Sequence, residues 1–169
     1  EYLGSGRDPD KLGSAHPRNA PYQAFQCKGG YFAMAAGNDA LWRSVCQVVE
    51  RPDLTEDERF TSTTLRAKHQ DALRELLEAI FVQHDSEHWL AQFPAPAVPR
   101  SPIPRYSDVL PDPQVENMQW VQNIRLPGTD TETRTFVSPL RINGVGLPVR
   151  LAPPALGEHN DSILHGVTP

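Results

Sequence analysis

Cysteine is scarce in this sequence, with only Cys27 and Cys46 in 169 residues. Two thiols cannot build a disulfide scaffold, and both are expected to be buried as small hydrophobes in a reducing compartment. Positive charge is also short. Lys and Arg total 16 against 21 Asp and Glu, for a formal net charge of −5. The cations form no stripe, which excludes a nucleic-acid partner because phosphate binding needs a concentrated basic surface. No apolar run approaches the roughly 20 residues that span a bilayer, so no membrane partner is expected. The opening Glu1-Tyr2-Leu3-Gly4-Ser5-Gly6 lacks both an initiator methionine and a signal-peptide pattern, and reads as a chain beginning inside a longer protein. There is no G-x-S-x-G, no P-loop and no dinucleotide fingerprint. Gly4-Ser5-Gly6 and Gly144-Val145-Gly146 are too short to signal anything.

Proline, by contrast, is abundant. The 17 prolines are about twice the usual share of roughly 5%, which predicts many turns and irregular connections. Hydrophobic residues at 38% and charged residues at 22% suit a soluble globular protein, with length enough for one good core or two small ones.

Residues 1 to 20 are polar, punctuated by glycine and proline, and read as an extended linker. Two strand-like runs, Pro21 to Cys27 and Tyr31 to Ala36, flank Gly29-Gly30 as a hairpin. Asn38 is a good N-cap for a helix through Leu41, Trp42, Val45, Cys46, Val48 and Val49, ended by Pro52. Thr55-Glu56-Asp57-Glu58 has a capping-box pattern opening one helical turn up to Phe60. The longest helix is expected from about Ser62 to Gln83, its stripe formed by Leu65, Ala72, Leu73, Leu76, Leu77, Ile80 and Phe81, with His69 on the same face. Ser86 is expected to cap a short helix carrying Trp89, Leu90 and Phe93. Pro94 to Pro104 is too proline-rich for regular structure. Ser107 is a candidate cap for a helix toward Met118. Strands are expected at Trp120 to Leu126 and Thr135 to Ile142 across the polar loop Pro127 to Arg134. A last helical turn at Asn160 to Leu164 closes the chain.

Three clusters invite chemistry. His84-Asp85-Ser86-Glu87-His88 matches the H-x-x-E-H zinc pattern. Zinc would need both histidines on one helix face and a third ligand, whereas a cap at Ser86 leaves His84 in the preceding loop, so no metal is assigned. His16-Pro17-Arg18-Asn19-Ala20-Pro21-Tyr22 is a stiffened polar loop that either faces a ligand or merely packs its tyrosine. Glu158-His159 offers an acid–base pair, but adjacent side chains diverge, and Asn160 or Asp161 is a natural helix cap. Trp42 and Trp89 fall on apolar helix faces and read as core.

Read in order, several segments resemble the class III (CaiB/BaiF) CoA-transferase family, which includes formyl-CoA transferase, carnitine CoA-transferase and 2-methylacyl-CoA racemase relatives. They are His16 to Phe25, Gly37-Asn38-Asp39 with Trp42, Arg51-Pro52-Asp53-Leu54, Asp57-Glu58-Arg59-Phe60 with Arg66, and Trp89-Leu90. Val98-Pro99 with Pro102-Ile103, Asp112-Pro113-Gln114-Val115, Ser138-Pro139 and Ala152 to His159 complete the series. The resemblance implies an α+β fragment: a small domain of short antiparallel strands and helices, plus an extended C-terminal segment belonging to the family's Rossmann-like large domain. Residues 1–20 would be a linker and active-site loop, 21–105 the small domain, and 106–169 the returning segment, with apolar surface exposed where the large domain would cover it.

The resemblance also implies a mechanism. An aspartate attacks an acyl-CoA thioester to form a mixed anhydride, CoA thiolate converts this to an aspartyl-CoA thioester, and the acceptor carboxylate reacts through a second anhydride. The family places that aspartate in the N-terminal large domain. None of Asp8, Asp10 or Asp39 sits where the nucleophile belongs, so this chain is expected to carry no catalytic residue. His16, Asn19 and Tyr22 are the candidate substrate-binding residues, on a loop that is glycine-rich in some relatives and holds Pro17 here. The substrates would be an acyl-CoA thioester and a carboxylic acid, with no tightly bound cofactor. The partners would be the missing large domain and a second subunit in an interlocked cytoplasmic homodimer. Two alternatives remain at this point: a racemase fragment of the same family, or a non-catalytic dimerisation or binding module.

Overall fold

The computed structural model describes residues 2–93 and 98–166. The architecture is α+β, and the chain divides into two compact units, Glu1–Ile103 and Pro104–Pro169. The first opens with a one-turn helix α1 (Tyr2–Ser5), then strands β1 (Tyr22–Cys27) and β2 (Gly30–Ala35). Helix α2 (Asp39–Val48), a 3-10 turn at Pro52–Thr55, and helices α3 (Thr63–Lys68), α4 (Gln70–Phe81) and α5 (Ser86–Gln92) follow. Strand β3 (Arg100–Pro102) completes an antiparallel sheet in the order β1-β2-β3. Of the expected irregular stretch Pro94 to Pro104, residues 94–97 lie outside the described residues. The rest contains β3, because Arg100 and Pro102 can pair with Met34 and Phe32 on an edge, where proline is tolerated.

The sheet alternates as a half-buried strand pair must. Phe25, Cys27, Phe32 and Met34 point inward, and α4 lies against β1 with Leu73, Leu77 and Phe81 buried. Phe81 is the hub, with ring centroids 5.5 Å from Phe25, 5.0 Å from Phe32 and 5.1 Å from Trp89. Trp89 Nε1 donates to the Phe81 carbonyl at 2.7 Å, which gives the buried indole its polar partner. Trp42 is core as expected, and both free cysteines are buried. Burial pushes the Cys46 thiol up to about 12. The free edge of β1 is covered: Ser14 Oγ accepts from Ala24 N, Glu78 Oε1 from Gln26 N, and the Tyr22 carbonyl from His16 N. The segment before β1 is therefore docked from Ser14 onward.

Several boundaries differ from the sequence reading for identifiable reasons. The expected helix from Ser62 to Gln83 is two helices broken at His69, where Lys68 to Asp71 offers no apolar side chain to the core. A 3-10 turn begins at Pro52, in its favoured first position, and the turn expected up to Phe60 is a single hydrogen-bonded one, closed by Phe60 N donating to the Asp57 carbonyl at 2.7 Å. Asp85, not Ser86, caps α5, its carboxylate accepting from His88 N; a negative charge suits a helix N-terminus. Asn38 caps α2 as expected, accepting from Leu41 N at 2.9 Å.

The second unit has helices α6 (Tyr106–Val109) and α7 (Pro113–Met118), strands β4 (Val121–Arg125) and β5 (Glu132–Phe136), a short pair β6 (Arg141–Ile142) and β7 (Val145–Gly146), and helix α8 (Asn160–Leu164). The single helix expected from Ser107 is divided at Pro111, and Asp112 caps α7. The second strand starts at Glu132 rather than Thr135 and stops before Pro139, which cannot donate to a ladder. Asn143 and Gly144 both take positive φ, 51° and 80°, the requirement of a type I′ hairpin, and this turn joins β6 to β7. His159, not Asn160 or Asp161, occupies the cap position of α8. Among the described residues here Val115 is the buried apolar side chain, while Tyr106, Leu140, Ile142, Val145, Leu151 and Ile163 are exposed. The unit thus carries the exposed apolar surface expected from the sequence. Among the described residues, no helix is long and apolar enough to cross a membrane.

Replacing Phe81 with alanine should cost about 3–5 kcal/mol in chemical denaturation. Val82→Ala, on the exposed neighbour, should stay within about 0.5 kcal/mol. Equal effects would contradict this packing.

Candidate functional site

Arg66 has no exposed surface, and a buried guanidinium must spend its donors inside the protein. Its Nε donates to the Ala20 carbonyl at 2.9 Å, Nη1 to the Phe60 carbonyl at 2.9 Å, and Nη2 to Asp39 Oδ1 at 2.7 Å and Thr63 Oγ1 at 3.0 Å. Its guanidinium carbon also lies 5.6 Å from the centre of the Trp42 ring. One side chain therefore joins the loop before β1, the start of α2, the turn ending at Phe60 and the start of α3. The Arg66 hydrogen bond is the main reason the Asp39 carboxyl is held below the usual carboxylate range.

The loop it holds contains the three residues singled out from sequence, and the structure brings them together. His16 Nδ1 accepts from the backbone N–H groups of Arg18 and Asn19, each at 3.1 Å. With Nδ1 an acceptor, the neutral ring carries its proton on Nε2. The ring stacks on Tyr22 at 5.2 Å between centroids. Asn19 presses on Gly37, where an added Cβ would stand 3.1 Å from the Asn19 Cβ, so that a larger residue would push Asn19 by a few tenths of an ångström. Ala36 N donates to the Pro21 carbonyl at 2.7 Å, and the Ala20–Pro21 peptide is cis. The loop is pinned at both ends.

Tyr22 also borders a shallow cleft of about 490 Å³ on the outer face of the sheet. Its floor is formed by outward strand positions with small side chains, Ala24, Ala33 and Ala35, and its rim by Ser14 and Ile103. The arrangement offers a stiff polar loop beside an apolar shelf, suited to a ligand with a short aliphatic part and a polar group.

The other sequence candidates are arranged as follows. His84 lies before α5, as expected, and its ring stacks on His88 at 3.9 Å; no group of three potential metal ligands occurs among the described residues. Glu158 Oε2 accepts from Ala155 N, so that carboxylate closes its own turn. Sequence reasoning overlooked Arg66 as the anchor. The signal was available: Arg66 falls seven residues before Leu73, on the stripe continued by Leu77 and Phe81, and a cation on an apolar stripe calls for buried partners.

The chain matches CoA-transferase family III over residues 1–160, and it belongs to that family. It is 30% identical to the succinyl-CoA:glutarate CoA-transferase of Mus musculus, over 98% of this chain and 38% of that protein. It is 28% identical to the succinate–glutarate CoA-transferase of Agrobacterium fabrum, over 96% of this chain and 40% of that protein. Among solved structures, a CaiB/BaiF family protein from Brucella suis superposes with a TM-score of 0.69 at 32% identity, covering 98% of this chain and 42% of that one. The chain thus spans about 40% of the length of these relatives.

Arg66→Met should cost about 3–5 kcal/mol, because it strands the buried Ala20 and Phe60 carbonyls and unpairs Asp39. Asp39 is half-exposed, so Asp39→Asn should cost at most about 1 kcal/mol at neutral pH. A depressed carboxyl stabilises the fold above the unfolded value of about 3.9 and loses that contribution as pH falls through the lower folded value. The gap between Asp39→Asn and the parent should therefore close on acidification below about pH 4; urea melts showing a pH-independent gap would refute the pairing.

Proposed function

We propose that this chain is the C-terminal part of an enzyme that transfers CoA between carboxylic acids, and that the attacking carboxylate lies outside these residues. What carries the reading is the match to a CoA-transferase family along nearly the whole chain, with relatives whose names specify exchange of CoA between acids. In this reading residues 21–105 are the family's small domain, residues 106–169 return to its large domain, and two subunits form a homodimer in the cytoplasm. The exposed apolar side chains of the second unit support a covering surface elsewhere in the protein.

The chemistry is carboxylate-mediated covalent catalysis. An aspartate attacks the acyl thioester and expels CoA thiolate, leaving an acyl–aspartyl anhydride. The thiolate attacks the aspartyl carbonyl and releases the donor acid, giving an aspartyl-CoA thioester. The acceptor carboxylate attacks that thioester and expels thiolate again. The thiolate then attacks the acceptor's carbonyl in the second anhydride, yielding new acyl-CoA and the free aspartate. Asp39 is unsuited to this role, because its Oδ1 is engaged by Arg66 and Thr63, and the same contacts lower the basicity of its carboxylate and with it its nucleophilicity. His16, Asn19 and Tyr22 fit a substrate-contacting role: the Nε2–H of His16, the Asn19 amide and the Tyr22 hydroxyl can donate to carbonyl oxygens that gain charge in each attack. No tightly bound cofactor is needed, since CoA enters as substrate.

The test is to incubate the full-length polypeptide containing this chain with succinyl-CoA and glutarate in deuterated water and to follow both thioesters by mass spectrometry. Glutaryl-CoA should form without deuterium at the α-carbon. Deuterium uptake without CoA exchange would point to the racemase reading, and no change in either thioester would point to a binding module.

A further inference from the structure

The contacts around Arg66 close into a ring. Its Nε donates to the Ala20 carbonyl at 2.9 Å and its Nη2 to Asp39 Oδ1 at 2.7 Å. Asp39 follows Gly37 by two residues. Asn19 rests on Gly37, where an added Cβ would meet the Asn19 Cβ, Cγ and Nδ2 at 3.1, 3.4 and 3.7 Å. Asn19 immediately precedes Ala20, which brings the path back to Arg66. Asn19 is thus gripped from two sides, through the adjoining backbone by the arginine and against its side chain by the glycine. The guanidinium at the centre has no exposed surface and cannot meet a substrate. Whatever it contributes to a reaction passes through the residues it holds.

We propose that Arg66 is a positioning residue for CoA transfer: together with Gly37 it fixes the Asn19 amide where the reacting carbonyls come. The inference rests on the transferase function proposed above and on the substrate-contacting role given there to Asn19. A donor aimed at an oxygen that gains charge acts in the transition state more than in the ground state. Displacing it therefore lowers kcat and spares KM, and a misplacement of about 1 Å can cost about a hundredfold. Arg66→Lys keeps a charge for Asp39 but presents its donors from one nitrogen. Arginine serves the Ala20 carbonyl, the Phe60 carbonyl and Asp39 from three.

The experiment measures kcat and KM for succinyl-CoA and glutarate in the full-length polypeptide, at a temperature where thermal melts show each variant folded. Arg66→Lys should lower kcat about tenfold or more and leave both KM values within about twofold. Gly37→Ala, which keeps Arg66 and pushes Asn19 by a few tenths of an ångström, should lower kcat in the same way by a smaller factor. Leu77→Ala, which truncates a buried side chain of α4, controls for lost stability and should keep the parent's kcat. A double-mutant cycle decides the route: with Asn19→Ala already present, Arg66→Lys should lower kcat by less than about twofold, because the group it positions has gone. Equal losses with and without Asn19 would overturn the inference. So would a risen KM at unchanged kcat, an Asn19→Ala variant with the parent's kcat, or a Leu77→Ala variant as slow as Arg66→Lys. Should Arg66→Lys not fold, the same cycle is read with Gly37→Ala in its place, and equal losses there are equally fatal. If the parent transfers no CoA, the transferase reading itself fails and takes this inference with it.

Discussion

The fully buried guanidinium of Arg66 is the constraint on which the first unit depends. Burying a cation without partners is prohibitive, so the surrounding backbone must supply acceptors at fixed places. The Ala20 carbonyl, the Phe60 carbonyl, Thr63 and Asp39 do so, and each belongs to a different stretch of chain. The three consecutive residues Gly37, Asn38 and Asp39 then have separate tasks. Gly37 makes room for Asn19, Asn38 caps α2, and Asp39 neutralises Arg66. Apolar burial between the sheet and α4 holds the unit together, but it does not choose where a polar loop sits. The arginine does.

The two units use their side chains differently. In the first, aromatic and aliphatic residues from the sheet, α2, α4 and α5 close one core, and the edge of β1 is covered by side chains placed for it. In the second, strands and short helices form with Val115 as the buried apolar side chain, while leucines and isoleucines face outward. Backbone hydrogen bonds specify shape there without burying enough surface to account for it. Such a segment makes sense as part of a larger protein, in keeping with relatives more than twice as long.

The hairpin, α2 with its Asn38 cap, and the inward-facing Trp42, Trp89, Leu73, Leu77 and Phe81 were legible in the sequence because periodicity and capping are local signals. The failures were competitions between local signals of similar strength. Asp85 and Ser86 are both good caps, and the aspartate wins by charge. The helical pattern from Ser62 to Gln83 hides a break, because a run of polar residues weakens a helix without a proline or glycine to announce it. Asn143-Gly144 is a type I′ turn pair whose signal is local and readable from the two residues together. His16, Asn19 and Tyr22 were legible as a polar loop. The Arg66 contact that fixes the loop was not, since it links residues 46 apart in sequence and its partner atoms are backbone carbonyls, which sequence does not label.

The central claim is that these residues position a loop for CoA transfer while the covalent chemistry occurs on a carboxylate elsewhere in the protein. The most direct measurement is to trap the enzyme during turnover of succinyl-CoA with hydroxylamine, digest it, and locate the resulting hydroxamate by peptide mass spectrometry. The account predicts a single modified aspartate outside these 169 residues. A hydroxamate on Asp8, Asp10, Asp39 or any other carboxylate of this chain would contradict it.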